Sequence, residues 1–551
     1  MKLKFLLLIC GIYLFRITQA QSYDWVSALG ASGDDVVNGI ETAYIHNMDM
    51  IWVTGYSSGN FTCSTASTIS QGAFVAAFDI SGNCIWAKNI KKSTGTVMIN
   101  GRGNDLSYYY RTLPNGTTRE TIYVTGFYDD KMFVTTFNAY NGTQELTEVY
   151  TATGESPGYD AAGNGIDVTS YGVYVTGYFT DNVKFPNYPG AASGAVINKT
   201  AGAGKETFLL KLDHNLNKTF VKKIDTNYES EGRDIVTVDG VSYVTGYFGD
   251  HNENDGTATI ITGHSTQTVT TFGYIDIFVA KFSNSVLGTG QWIRNAGSSA
   301  SDFNYDDKGE AISRDPSGNI YITGTITGNS TFGAYSVSGS APTAFAAKYN
   351  STGTAQWATN LSPVVIDNEG YGIISDASNS YLVGNEYYCK LTNSSGAVTS
   401  VFGIGSPGGA AAGYDIEILG EDIYFVGEFG WSAGFTFQGT PVSAHYGGWD
   451  GYLTKLDITP RLGMENKTDS KWTCYPNPNN GSFYILSSMS IEENAHHLIR
   501  VFNLSGAKVY ENSITGNSTF IQLNKPNAGI YYLQITDDNG NVSNQTIEIL
   551  K

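Results

Sequence analysis

Few side chains in this sequence stand at spacings that perform chemistry. The seven histidines are His46, His214, His251, His264, His445, His496 and His497, with no HExxH pair and no His/Cys set at metal-ligand spacing. No GxSxG nucleophile elbow and no phosphate-cradling Gly-rich loop occurs, so no catalytic residue is assigned. Asp34, Asp35, Asp306, Asp307 and Glu310 could supply the two carboxylates that a glycosidase sets across its bond. Their place in turn-rich connections makes solvated turns the plainer reading. Asp250, Asn252, Asn254 and Asp255 begin like a calcium loop. Asp255 then stands where the loop needs Gly, and Ile261 where it needs a bidentate Glu. No cofactor is therefore expected, with calcium left open as an adventitious ligand. Rings are the other currency of recognition. Trp431, Trp449, Tyr446, Phe185 and Tyr188 lie in long connections, where they can stack on a sugar or a protein.

Composition narrows the partners. The chain has 551 residues, a net charge of −19 and only 15% charged residues. Such an acidic, sparsely basic chain is a poor nucleic-acid ligand, because phosphate contacts need clustered Lys and Arg. Aromatic residues make up 13% and glycines number 64, which points to many short strands joined by tight turns. A basic start at Lys2 and Lys4, an apolar run from Phe5 to Phe15 and the small residues Thr18 and Ala20 form a leader over residues 1–20. Cleavage is expected between Ala20 and Gln21. No later stretch is apolar enough to span a membrane. Cys63, Cys84, Cys389 and Cys474 remain, without a CxxC pair. Export permits a Cys63–Cys84 disulfide, and two separate thiols are the alternative.

The elements that position these residues repeat. The unit from Gly309 to Leu361 reads GEAISRD, NIYITGT, AFAAKYN and TAQWATNL, four strand-like runs A to D separated by turn residues. Run B recurs seven times, ending at Gly55, Gly126, Gly177, Gly246, Gly324, Gly384 and Gly427, roughly every 60 residues. The last unit, GYDIEILG, DIYFVGE, GYLTKLD, lacks run D, whereas the mature N-terminus begins with an unattached run D, YDWVSALG. A ring uses both leftovers: the N-terminal strand completes the last blade and removes two free edges. The expected fold is all-β, a seven-bladed β-propeller over residues 21–458 closed by its N-terminal strand. The pattern VTG…F.AKY..SG...W resembles the SBBP-type β-propeller repeat of bacterial exported proteins. That resemblance implies a fold and an exported location, and no reaction.

Residues 459–470 are polar and read as a linker. The remainder, 471–551, alternates apolar residues and turns as a small Ig-like β-sandwich would. Tyr475-Pro476-Asn477-Pro478 with Gly481, then Asn503-Leu504-Ser505-Gly506, then Gly529-Ile530-Tyr531-Tyr532, have sharp spacing. Together they resemble the type A C-terminal sorting domain of the type IX secretion system of Bacteroidetes. The resemblance implies the type IX machinery as a partner, passage through the periplasm, and an extracellular or cell-surface destination.

Two functions follow from this reading. The first is an exported propeller that binds a glycan or protein or serves as a scaffold. The second is a propeller enzyme acting on extracellular polysaccharide, which requires carboxylates converging in one concave pocket with shifted pKa values. The B-to-C connections are long, as in Asp181–Glu206, Gly249–Tyr274 and Phe429–Asp450, and so is the D-to-A connection Gly297–Lys308. In an up-and-down blade these connections share one end of the ring. That end is the expected ligand face.

Overall fold

The structure is a computed structural model that describes residues 22–457 and 472–549. The exceptions are residues 47, 65–66, 113–115, 130, 153–160, 186–194, 201–202, 252–254, 264, 286–287, 300–305, 340–341, 362–368, 405–409, 431–435, 438–439, 443–445, 476–480, 488–495, 504–507, 516–517, 524–525, 527–528 and 537–541. The signal cleavage pair Ala20 and Gln21 and the linker 459–470 lie outside the described residues. The chain divides into two compact units, Ser22–Ile458 and one containing Thr459–Lys551.

In the first unit, runs A to D are antiparallel strands of one sheet. The unit quoted above becomes Lys308–Arg314, Ile320–Ile326, Thr343–Tyr349 and Ala355–Asn360, paired in that order. Among the described residues, seven sheets are built on this meander. Their A strands are Val36–Ile45, Gly101–Thr112, Ala161–Thr169, Glu229–Val238, Lys308–Arg314, Gly370–Ser375 and Ala411–Leu419. Each touches the next, and the last touches the first, so these strands line a closed circuit. Ser22–Leu29 pairs with Trp449–Asp457, placing Trp25 opposite Lys455. The N-terminal strand is thus the outer strand of the last sheet, and the fold is a β-propeller.

The recurring VTG of run B has a physical cause. Its threonine donates to a run C carbonyl: Thr54 to Phe74, Thr176 to Phe208 and Thr323 to Phe345, at 2.7–2.8 Å. Its glycine faces the backbone of strand A at close range, and a Cβ on Gly324 would come within 2.0 Å of the Lys308 carbonyl oxygen. Run D supplies the joint between blades. Trp25 lies on Gly82, Trp86 on Gly142, Phe220 on Gly288, Trp292 on Gly353 and Trp357 on Gly396, each glycine being in the C-to-D turn of the following blade. Trp25 also donates Nε1 to the Ile80 carbonyl at 3.0 Å, so the N-terminal strand grips the first blade as the other D strands grip their neighbours.

Several B-to-C connections carry hairpins of their own, such as Phe61–Ser64 with Ser67–Ile69 and Thr257–Thr262 with Ser265–Thr270. Cys63 and Cys84 form a disulfide that ties the first hairpin to its blade's D strand, while Cys389 is a buried thiol.

The described residues of the second unit form two sheets. One has the order Trp472–Tyr475, Ser482–Ser487, Ser518–Gln522, and the other Lys508–Thr515, His496–Asn503, Gly529–Thr536, Val542–Ile549. Phe483, Ile485 and Ile521 of the first share a core with Ile499, Val501, Leu533 and Ile547 of the second. Among the described residues of the chain, no helix is long and apolar enough to cross a membrane.

Candidate functional site

Each A strand breaks register at one residue opposite the VTG-type glycine. The breaks fall at Asn38, Asn104, Asn164 and Arg233, and again at Glu310, Tyr371 and Tyr414. A β-bulge re-aims the side chain it carries. Here all seven bulged residues line one cavity of ≈490 Å³ in the central channel. The cavity is walled by the beginnings of A strands and by Phe127 and Tyr178 at the ends of B strands. It therefore opens toward the end of the ring that carries the long connections.

A belt of hydrogen bonds runs around this mouth. Asn38 donates to the Gly103 carbonyl at 2.8 Å, Asn104 to Gly163 at 2.9 Å and Asn164 to Gly232 at 2.9 Å, each crossing to the next blade. Arg233 then bridges Glu231 at 2.8 Å and Glu310 at 2.6 Å, and Lys205 reaches Glu231 at 2.7 Å. Burial opposes the charge on Glu231, but Arg233 and Lys205 outweigh it and hold its carboxyl at about 2. On the other side Tyr371 and Tyr414 meet edge to face, with centroids 5.3 Å apart.

Below the belt Asp105, Asp234 and Asp415 line the channel, and they also line a second cavity of ≈580 Å³ toward the short-turn end. Each carboxylate accepts from its own blade and the next. Asp105 takes the Leu106 and Ile166 amides, Asp234 those of Ile235 and Ile312, and Asp415 those of Ile416 and Ile40, all at 2.7–2.9 Å. Gly39, Gly165 and Gly372 fill the same position in other blades, where a Cβ would come within 2.9–3.0 Å of an Asp Cα of a neighbouring blade. Burial pushes Asp234 up to about 7 and Asp415 to about 6, and raises Asp105 well above the usual range. Carboxylates thus converge in one concavity, as a glycosidase would require. Both oxygens of each, however, already staple adjacent blades.

The carboxylates singled out from the sequence do other work. Asp35 and Asp307 are buried rather than solvated, which corrects the turn reading for them. Asp35 accepts from the Ala31 and Ser58 amides at 2.7 Å, and Asp307 from the Ser298 and Thr327 amides, so each organises its D-to-A connection. Glu310 belongs to the mouth belt. Asp34 accepts from the Trp449 amide at 3.0 Å, and Asp306 pairs with Lys308 at 2.6 Å. Asn252 and Asn254 of the partial calcium loop lie outside the described residues, and among the described residues no cluster of three metal-ligating side chains occurs.

Of the candidate rings, Tyr446 and Trp449 are exposed by 48% and 37%. The Trp449 ring covers Gly430, and its carbonyl accepts from Asp35 at 2.7 Å, so the side chain is fixed on the rim by its backbone. Phe185 closes the short strand Val183–Phe185. Tyr188 and Trp431 lie outside the described residues. Apart from Glu310, the mouth residues escaped the sequence reading although run A carries their mark: a bulge residue followed by Gly, Asp or Ala and then Ile or Leu, as in GNDL, GNGI, GRDI and GEAI.

In the second unit, Tyr475 pairs with Tyr484, and Tyr531 is buried in the shared core. Gly481 has φ 95°, and a Cβ there would meet Pro526 at 2.5 Å. Gly529 begins its strand with φ 142°. Pro476, Asn477, Pro478 and Gly506 lie outside the described residues.

Residues 473–549 match the family model of the secretion system C-terminal sorting domain. The tail is a sorting domain. It directs export to the cell surface or extracellular space and engages the type IX secretion machinery. Residues 291–330 match the family model of the beta-propeller repeat, within the region where the repeat pattern is sharpest. No curated protein matches the chain. Among solved structures, Drosophila Plexin A in complex with Semaphorin 1b is similar at 9% identity and TM-score 0.36, covering 78% of this chain and 88% of that one. A Synechocystis apocarotenoid oxygenase mutant is similar at 8% identity and TM-score 0.36, covering 78% and 95%. Overlaps this loose carry no functional argument.

Proposed function

We propose that the exported chain is a binding module whose ligand enters the mouth of the central channel on the long-connection end. The observation that supports this most is the bulge ring. One backbone device, repeated seven times, delivers amides, a guanidinium, a carboxylate and two phenols into a cavity of small-molecule size. A purely structural ring has no need of such unlike residues at equivalent places. Trp449 and Tyr446, with Trp431, are proposed to extend the surface at the rim.

A glycan array on the mature propeller tests this reading, with an unbiased hydrolysis screen alongside it. Asn164→Trp with Ala162→Trp fills the mouth and should abolish binding of any hit. Trp431→Ala with Trp449→Ala should weaken binding with little loss of melting temperature. Undiminished binding by the filled-mouth variant would place the ligand elsewhere and defeat the proposal.

A further inference from the structure

Arg102 differs from its counterparts around the ring. The position two residues before the bulge is charged in four blades: Arg102, Glu231, Lys308 and Glu369. Glu231 is paired with Lys205 and Arg233, and Lys308 with Asp306. Glu369 accepts from Asn385 at 3.0 Å and from Tyr371. Arg102 lines the cavity with only one hydrogen bond among the described residues, Nη2 to Asn38 Oδ1 at 2.6 Å, and no ion pair among them. Five N–H donors in a fixed fork, with one hydrogen-bond acceptor and with the Glu428 carboxylate acting on the charge from beyond ion-pair distance, leave room for an anion.

The surroundings limit what carries that anion. The net charge of −19 repels a polyanion. A single negative group on a neutral body fits. The inner-edge amides that a peptide backbone would pair with are occupied by Asp105, Asp234 and Asp415. What remains exposed to the cavity is suited to sugar hydroxyls and ring faces: Asn104, Phe127, Tyr371 and Tyr414 beside Arg102.

Resting on the reading of the mouth as a binding site, we infer that its ligand is an otherwise neutral oligosaccharide ending in one uronic acid, whose carboxylate is held by the Arg102 fork. Titration calorimetry on the mature chain tests this with three probes: glucuronosyl-xylobiose, its carboxyl-reduced glucosyl counterpart, and a tripeptide with a free C-terminus. The acidic trisaccharide should bind, with affinity falling as salt rises. Carboxyl reduction and Arg102→Gln should each weaken binding about 10- to 100-fold, the span of a charge-assisted hydrogen-bond pair. Arg102→Lys, which keeps the charge and loses the fork, should fall between, and keeps the test decisive if the Gln variant melts early. Equal affinity for the two trisaccharides, or wild-type affinity in Arg102→Gln, overturns the inference and leaves the mouth as a binding site for neutral ligands. Arg102-dependent binding of the tripeptide alone overturns the sugar assignment. If no probe binds, the inference fails, while the array and the filled-mouth variant still judge the wider reading.

Discussion

Lys348 and Trp357 donate to the same carbonyl, that of Asn393 in the next blade, each at 3.0 Å. Lys281 and Trp292 do the same to Ser351 one blade earlier, at 2.9 and 3.3 Å. The repeated lysine and tryptophan of runs C and D are therefore one clamp on the following C-to-D turn. The lysine also sits over the run B tyrosine, with Lys348 Nζ 5.3 Å from the Tyr321 ring centre. Trp357→Ala should cost about 3–5 kcal/mol, since it empties a packed site and removes one of the two donors to the Asn393 carbonyl. Gly396→Ala should cost about 2 kcal/mol or more, because φ is 69° there and a Cβ would meet the Trp357 ring at 2.6 Å. Chemical denaturation measures both. A neutral Gly396→Ala would remove the clamp from the energetics.

The clamp also shows how far the sequence could be read. Run order, the ring and the N-terminal closing strand followed from strand periodicity and leftover runs, because those signals are local. The exceptions are legible only with the register in hand. Leu146 occupies the tryptophan position of the second blade, and the turn it faces has Leu216 with φ 64° where other blades have glycine. These two leucines share one core, so a bulkier turn residue accompanies a smaller clamp. Ser400 takes the same position in the sixth blade. The next blade has no C-to-D turn to grip, since its D strand arrives from the N-terminus. The channel mouth was harder still: a bulge leaves only a weak mark in sequence, and its seven residues are brought together by contacts between blades.

Ring closure should depend on the first strand. Trp25 is the clamp of the last blade, and Ser27 adds a bond to the Gly82 carbonyl at 3.1 Å. Deleting Ser22–Leu29 leaves Trp449–Asp457 with a free edge and strips the cover from Gly82. The deletion should lower the melting temperature strongly and promote association. Adding the strand back as a peptide should reverse both effects. A truncated chain that melts like the full one would show that closure contributes nothing.

Stability should fall as pH rises toward 8. Burial raises Asp276 to about 8, with Asp307 nearby adding to the shift, and raises Asp307 to about 6, Glu41 and Asp234 to about 7 and Asp167 to about 6. Unfolded carboxyls titrate near 4. Between about pH 4 and 8 the native state therefore holds more protons than the unfolded one, so raising pH favours unfolding. Glu231 has the opposite sign, since its folded value of about 2 lies below the unfolded one. Its contribution is complete above about pH 5 and does not alter the trend in this window. The melting temperature at pH 5 should exceed that at pH 8, and Asp276→Asn should flatten the slope. A melting temperature that climbs from pH 5 to 8 would contradict this account.

The two units have separate cores, Phe483 to Ile549 in the tail and the blade clusters in the ring, so removing one should leave the other folded. Deleting residues 471–551 should give a propeller with the melting temperature of the full chain's first unit. The sorting information lies in the deleted part, so the truncated chain should accumulate in the periplasm instead of reaching the surface or medium. Within the tail, Gly481→Val combines a positive φ with a contact on Pro526 that no side chain fits. It should unfold the tail and block export while leaving the propeller's melting transition in place. Tyr531→Ala should act alike through the shared core, at a cost of about 3–5 kcal/mol to the tail. Fractionation followed by immunoblotting reads both variants against the deletion. Export of the truncated chain at the level of the full one would refute the role of the tail. Export of the Gly481→Val chain with an unfolded tail would show that the machinery reads the sequence and not the fold.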